Sequence, residues 1–360
     1  MEQFFCKTKI LSGSGSLRCL ADLHIKRLLI VSDPFFFENG TTDRISQLSQ
    51  AESVEIFHDV TPDPSTQLVA KATKLAQNFQ ADTILALGGG SAMDCAKAIA
   101  FFSALPVRLI AVPTTSGSGS EVTNFAILTH EGVKHPLVDE KLQPDIAILD
   151  GELLASLPQP LIADTGFDLI AHALEAWVAS GAGQISDSLA LGALKTAFAQ
   201  LPRSFSGDLT ARSALHTAAT MAGMAFSSAG LGLCHAISHS LGGAFHKPHG
   251  RLNAILLPAV VECNSEKAGH RYACLARQLG FSTGADPIAQ RMLKNALLQL
   301  RRQLNLPDTL AQIGISPATL REQTEQVIAA ALADPCCQTN PVQPEAHHIR
   351  KILASVMGHG

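Results

Sequence analysis

Four histidines, His235, His239, His246 and His249, fall within the segment Gly232-Leu-Cys-His-Ala-Ile-Ser-His-Ser-Leu-Gly-Gly-Ala-Phe-His-Lys-Pro-His-Gly250. His235 and His239 are four apart, so on a helix they share a face, with Ile237 and Leu241 pointing away. Pro248 and Gly250 bracket His249. This predicts that the helix has ended there and that a turn brings His249 back toward His235. Upstream, Asp168 and His172 are also four apart, Glu175 joins their face, and Ile170, Ala173, Leu174 and Trp177 form an apolar one. Taken alone, this stretch reads as an amphipathic helix with a solvated polar side. Taken with the histidine segment, it supplies one carboxylate and several imidazoles. That donor set suits Fe(II) or Zn(II) and poorly suits Mg or Ca. The spacing is not H-E-x-x-H, which disfavours a zinc protease.

A second kind of chemistry is written in glycine and hydroxyl residues. The apolar run Thr83-Ile-Leu-Ala-Leu87 leads straight into Gly88-Gly-Gly-Ser91 and then into a helical pattern carrying Asp94 and Lys97. Glycines in such a turn allow close approach of backbone to a ligand, and the helix behind them offers free N–H groups to a phosphate. The pattern is not G-x-G-x-x-G, and a tight strand-to-helix turn would look the same. A second such turn, Pro113-Thr-Thr-Ser-Gly-Ser-Gly-Ser-Glu121, follows another apolar run. Two polar, glycine-rich turns at strand ends of one sheet favour a dinucleotide site. Asp33 ends an earlier strand, where a carboxylate can hold a ribose diol and repel a 2′-phosphate, although a lone Asp at a strand end reads equally as a turn residue or a helix cap.

Elements must place these groups. Arg27–Ser32, Thr83–Leu87, Val107–Val112 and Ile146–Leu149 read as buried strands, with helices over 65–78 and 91–102 between them. Continuous apolar runs bounded by Gly, Pro and Asp suit a parallel sheet covered on both faces. After about residue 160 the strand patterns stop and helices follow. One begins at Asp286-Pro287, read as a cap followed by Pro at the first helical position, with Leu293, Leu297, Leu300 and Leu304 at helical spacing. The fold class expected is an α/β, Rossmann-like dinucleotide-binding domain over 1–160 followed by an all-α domain over 161–360. A cleft between them is the natural ligand site.

Composition narrows the function. The chain has 360 residues, 46% hydrophobic and 16% charged, with a formal net charge of −4, which fits a soluble globular protein and leaves no basic footprint for nucleic acid. With one Trp and one Tyr, base-stacking platforms are not expected either. No stretch reaches the roughly 18 uninterrupted apolar residues of a membrane span, and the start lacks a signal-peptide layout. Cys6, Cys19, Cys95, Cys234, Cys263, Cys274, Cys336 and Cys337 form no C-x-x-C pair, so a structural zinc site is not expected. Free thiols point to a cytoplasmic setting.

The segments GGGSAMDCAKA at 88–98, PTTSGSGSEVT at 113–123, DTGFDLIAHALEAWV at 164–178 and AGLGLCHAISHSLGGAFHKPHGRLNAILLP at 229–258 together resemble the iron-containing alcohol dehydrogenase family. The resemblance spans nearly the whole chain, and ADPCCQTNP at 333–341 matches more loosely. It implies a metal held by Asp168, His172, His235 and His249, with His239 as a further active-site histidine that is not a ligand. It places the cofactor, NAD, on Asp33, Asp63, Gly89, Gly90, Ser91, Asp94, Thr114, Thr115, Ser118 and Lys134. It also implies a homodimer. The opening 1–17 and the stretch 157–178 look closest to the alcohol dehydrogenases of propanediol- and ethanolamine-utilisation microcompartments, and Met1–Leu17 offers a docking segment for such an assembly. Departures are a short connection from Ala98 to Val107, Ser118 where Thr is common, and His246 as an extra imidazole.

The function expected is hydride transfer between NAD(H) and a short primary alcohol or aldehyde at an iron or zinc centre. No basic cluster is present to bind a charged substrate, which disfavours a dehydroquinate synthase-like lyase. Relatives acting on maleylacetate or a polyol are the nearer alternative, and a scaffold role without turnover is the non-enzymatic one.

Overall fold

The structure, a computed structural model, describes residues 4–131 and 133–358. It forms two compact units, Phe5–Leu157 and one that begins at Pro158.

The first unit is built on the strands β1 (Lys9–Ser12), β2 (Arg27–Ser32), β3 (Ser53–Phe57), β4 (Thr83–Gly88), β5 (Arg108–Pro113), β6 (Phe125–His130), β7 (Val133–Val138) and β8 (Ile146–Leu149). Six of them make one parallel sheet in the order β1-β8-β5-β4-β2-β3, while β6 and β7 pair antiparallel as a separate hairpin. The helices α1 (Pro34–Glu38), α2 (Thr41–Ser49), α3 (Thr66–Phe79) and α4 (Gly90–Ser103) connect the strands. Side chains alternate along each strand: Leu29, Val31, Ile84 and Ala86 enter one apolar cluster with α3 and α4, and Leu28, Ile30, Leu85 and Leu87 enter the other. With both faces covered, the strands read as continuous apolar runs, as a buried parallel sheet requires. The chain leaves β2 toward β3 on one side and returns to β4 on the other. The ends of β2 and β4 therefore form the topological switch point at which such sheets bind ligands.

The expected strands lie within a residue of their predicted bounds. Those not foreseen sit at the margins. The strand β1 has four residues, β3 is a half-exposed sheet edge, and β6–β7 lies outside the main sheet.

The second unit is helical: α5 (Gln159–Val178), α6 (Gln184–Phe205), α7 (Leu209–Ala229), α8 (Leu233–Phe245), α9 (His249–Gln278), α10 (Asp286–Gln303), α11 (Pro317–Ala333) and α12 (Ala346–Val356). Helix α5 is the axis of this unit and packs on α6, α7 and α9. Its polar residues Asp164, Asp168, His172 and Glu175 are all buried, which corrects the expectation of a solvated side. Their partners explain why this is tolerated, since a buried charge persists only when paired or hydrogen-bonded.

Arginines tie α5 to α9 near both ends. Arg251 makes two hydrogen bonds to the Asp164 carboxylate, at 3.1 and 2.9 Å. Arg271 donates from Nε to the Trp177 carbonyl at 2.7 Å and binds Asp187, while the Trp177 indole donates to the Arg271 carbonyl. Within α9, Pro258 has no N–H to give the carbonyl of Ala254. The buried guanidinium of Arg301 on α10 supplies the missing donor, at 3.2 Å.

Two helix starts differ from expectation. Asp286 lies inside α10 and Ala285 is the cap, because the Asp286 carboxylate is taken by Arg277 and His270. His249 does stand where a helix has ended, but it also opens the next one, with Gly250 inside it.

Candidate metal and cofactor sites

Asp168 and His172 project from α5, His235 and His239 from α8, and His249 from the first position of α9. Donor atoms of Asp168, His172 and His235 lie within 4.8 Å of one another. Asp168 Oδ1 is 3.4 Å from His249 Nε2 and 3.7 Å from His235 Nε2. Ligands about 2.1 Å from a tetrahedral ion stand about 3.4 Å apart. The two Asp168 separations match that spacing, and the donor chemistry, a carboxylate among imidazoles, fits a transition-metal ion. The His172 ring is stacked between Phe226 and His235, with ring centroids 4.4 Å away on each side.

Outer groups orient these donors. Glu175 Oε2 lies 2.6 Å from His235 Nδ1 and orients the ring so that Nε2 faces Asp168. The same carboxylate accepts from the backbone N–H groups of Gly232 and Cys234, capping the start of α8. A side chain on Gly232 would strike Glu175 and Asn340, so only glycine fits there. Asn253 donates to Asp168 Oδ1 at 2.8 Å, while its own carbonyl oxygen accepts from Ser238 at 2.5 Å. Its amide nitrogen also lies 3.1 Å from His249 Nε2, so the acceptor atoms converge on one place.

Charge follows this geometry. Burial works to raise the Asp168 pKa, but the imidazoles of His172, His249 and His235 outweigh it and hold the carboxyl far below the usual range. Burial works to lower His235, but the Glu175 and Asp168 carboxylates win and carry it up to about 9. One flank is open: the His249 side chain is 36% exposed, against 1% for His235. His239 stands on that flank, its ring stacked on His249 at a centroid distance of 5.0 Å. Its Nδ1 lies 2.8 Å from Asp334 Oδ2. Burial would raise the Asp334 carboxyl, but the His239 hydrogen bond and charge and the Cys336 N–H hold it at about 2. His246 is exposed at the left-handed residue closing α8 and is not in this group.

In the first unit the two glycine-rich turns meet at the sheet's C-terminal edge. Gly88 has φ +150, and a side chain there would overlap Ala92. Asp33 caps α1, accepting from the Phe36 N–H, and its Oδ2 lies 3.6 Å from where a Gly88 β-carbon would stand. Thr115 is similarly close to Gly89, and Ser118 to Gly90. Thr114 is buried and donates its N–H to the Gly88 carbonyl, and Ser91 lies in the first turn of α4. Asp94 accepts from Ser120, and burial draws its carboxyl up to about 6. Lys134 and Asp63 form an ion pair at 2.6 Å. Asp33, Gly89, Gly90, Thr115 and Ser118 thus form one group at the switch point, and Asp63 and Lys134 form a pair of their own.

Three contributors escaped sequence reasoning. Glu175 shares the Asp168 helix face, but nothing in its spacing signals its bond to His235. Asn253 follows His249 by four residues, a helical spacing that signals a shared face. Asp334 is 95 residues from His239 and no periodicity links them.

Residues 7–151 match the model of the iron-containing alcohol dehydrogenases, and residues 162–357 match the C-terminal model of the same family. The chain is 40% identical to a 1-propanol dehydrogenase, PduQ, of Salmonella typhimurium, over 99% of this chain and 100% of that one. It is 34% identical to the NADPH-dependent butanol dehydrogenase of Clostridium saccharobutylicum, over 99% and 98%. The solved iron-containing alcohol dehydrogenase of Thermococcus thioreducens superposes with a TM-score of 0.93 at 32% identity, over 98% and 99% of the two chains.

Proposed function

This chain belongs to the iron-containing alcohol dehydrogenase family and is an alcohol/aldehyde oxidoreductase, and we propose that it interconverts a short uncharged aldehyde, propanal or acetaldehyde, with its primary alcohol. The proposed cofactors are NAD(H) and Fe(II), with Zn(II) as the alternative ion. The observation that carries this reading is the gathering of the Asp168, His172 and His235 donor atoms within 4.8 Å of one another, with His249 Nε2 3.4 Å from Asp168 on a more exposed flank.

Asp168, His172, His235 and His249 hold the ion in this reading. When bound, the ion supplies Lewis acidity toward the substrate oxygen, and NAD(H) supplies or takes up the hydride. Glu175 keeps the His235 Nε2 lone pair aimed inward, and Asn253 fixes the Asp168 carboxylate. His239, on the open flank, takes the hydroxyl proton at Nε2 during alcohol oxidation and returns it during aldehyde reduction. Arg251 is engaged by Asp164, so it is not free to bind a substrate phosphate or carboxylate, and this supports an uncharged substrate.

Asp33, Asp63, Gly89, Gly90, Ser91, Asp94, Thr114, Thr115, Ser118 and Lys134 are proposed to hold the dinucleotide. The Asp33 carboxylate at the switch point supports a ribose diol there rather than a 2′-phosphate, hence NAD over NADP. The resemblance of 1–17 and 157–178 to the microcompartment subgroup supports a cytoplasmic homodimer working inside such a compartment, beside its enzymes or shell.

The test is NADH oxidation with propanal by chelator-treated protein, before and after reloading with Fe(II) or Zn(II), with NADPH in parallel. Restoration by one ion with NADH names the ion and the cofactor. No turnover with either ion, including with acetaldehyde, overturns the reading.

A further inference from the structure

We infer that Asp334 is a positioning residue for His239, setting which of the two imidazole nitrogens carries the proton. The inference rests on the function proposed above for His239. Asp334 is held at both carboxylate oxygens. Oδ1 accepts the Cys336 backbone N–H at 2.8 Å, and Oδ2 lies 2.8 Å from His239 Nδ1. An ionised carboxylate accepts hydrogen bonds and donates none. The proton of a neutral His239 therefore sits on Nδ1, and Nε2 is left with a bare lone pair. Only this tautomer can take a hydroxyl proton at Nε2.

The placement is rigid. Asp334 ends α11 and caps the short helical turn Pro335–Thr339. That turn is fastened to the beginning of α8, because Thr339 donates to the Leu231 carbonyl and Asn340 accepts from the Leu233 N–H. His239 is one and a half turns further along the same helix. The segment 334–340 thus grips α8 at its start and at His239, and the ring has a fixed partner without itself joining the Asp168 donor group. A carboxylate orienting an imidazole through one nitrogen while the other does the chemistry is a general device of acid–base sites.

The nearly isosteric variant Asp334→Asn separates this role from a packing role. An amide can turn its NH2 to the ring, and it then stabilises the opposite tautomer, with the proton on Nε2. In zinc-loaded protein carrying 15N-histidine, the His239 signals, identified by their loss in His239→Gln, should show an Nδ1-bound proton in the wild type and an Nε2-bound proton in Asp334→Asn. In steady-state assays kcat should fall about 10- to 100-fold, with KM for propanal, metal per chain and melting temperature within about twofold or a few degrees of wild type. In a His239→Gln background, adding Asp334→Asn should cost less than about twofold more, because the two residues act as one unit.

An unchanged tautomer in Asp334→Asn, a loss of metal or folding that accompanies the loss of rate, or fully multiplicative effects in the double variant would each overturn the inference. Failure of the wild type to turn over propanal would instead count against the proposed function. The tautomer measurement would still decide the positioning role.

Discussion

A β-carbon on Gly250 would lie 2.0 Å from the carbonyl oxygen of Asp164, so the first turn of α9 rests against the α5 backbone where no side chain fits. That close approach brings His249, the residue before it, within 3.4 Å of Asp168. Gly250→Ala must push the two helices apart. The expected outcome is a loss of about 1–3 kcal/mol in stability and a metal content well below one per chain after dialysis, read by urea titration and elemental analysis.

Glu175→Gln tests the outer group on His235. The amide keeps the volume but loses the charge and offers one acceptor oxygen in place of two, while Gly232, Cys234 and His235 all need one. Metal affinity should drop about 10- to 100-fold, measured by competition with a chromogenic chelator. Unaltered affinity would mean that Glu175 serves only as the cap of α8.

The site's helical pairs are legible in the sequence because i, i+4 spacing on a helix is a local signal, and Asp168/His172 and His235/His239 both carry it, while the resemblance separates the implied ligands from His239. The inner strands are legible because burial on both faces makes them unbroken apolar runs. What the sequence hides is what depends on distant partners. The polar side of α5 looks solvated until Arg251, Asn253 and the start of α8 are seen to occupy it. Asp334 lies in the loosely matching stretch 333–341, but nothing local ties it to His239, 95 residues away. The edge strand β3 is half exposed, so its pattern is weak, and the Asp286 cap failed because Arg277 and His270 compete for its carboxylate.

Lys97 gives a pH signature in the first unit. Its ammonium donates to Ser120, Thr123 and the Phe125 carbonyl at 2.9 Å each. Burial lowers its pKa to about 8, although Asp94 and Glu121 oppose the fall. An unfolded lysine titrates near about 10.4. Between these values the unfolded chain holds more protons than the folded one, so stability rises with pH. Relative to Lys97→Met, the wild type should gain up to about 3 kcal/mol between pH 7 and pH 10, measured by urea unfolding at each pH. A flat difference would show that the amine titrates alike in both states.

Arg301→Leu should uncover the carbonyl left without a partner by Pro258. The Ala254 oxygen loses its donor, the Ile255 oxygen loses an additional one, and Asp308 loses its ion pair. The expected cost is about 2–4 kcal/mol, read as a shift in the urea midpoint without a change in slope. Pairing it with Pro258→Ala, which restores the helical N–H, should recover part of that loss.

The arginine ties at both ends of the α5–α9 pair make these helices behave as a closed frame rather than a hinge. Asp168 and His172 stand on one long side, between the Asp164–Arg251 and Trp177–Arg271 corners, and His249 stands on the other helix just beyond the Arg251 corner. A frame fixed at its corners does not widen by degrees. On heating, ion release and loss of helical signal should therefore fall at the same temperature, and an ion should exchange through the exposed side at His249 without the helices parting.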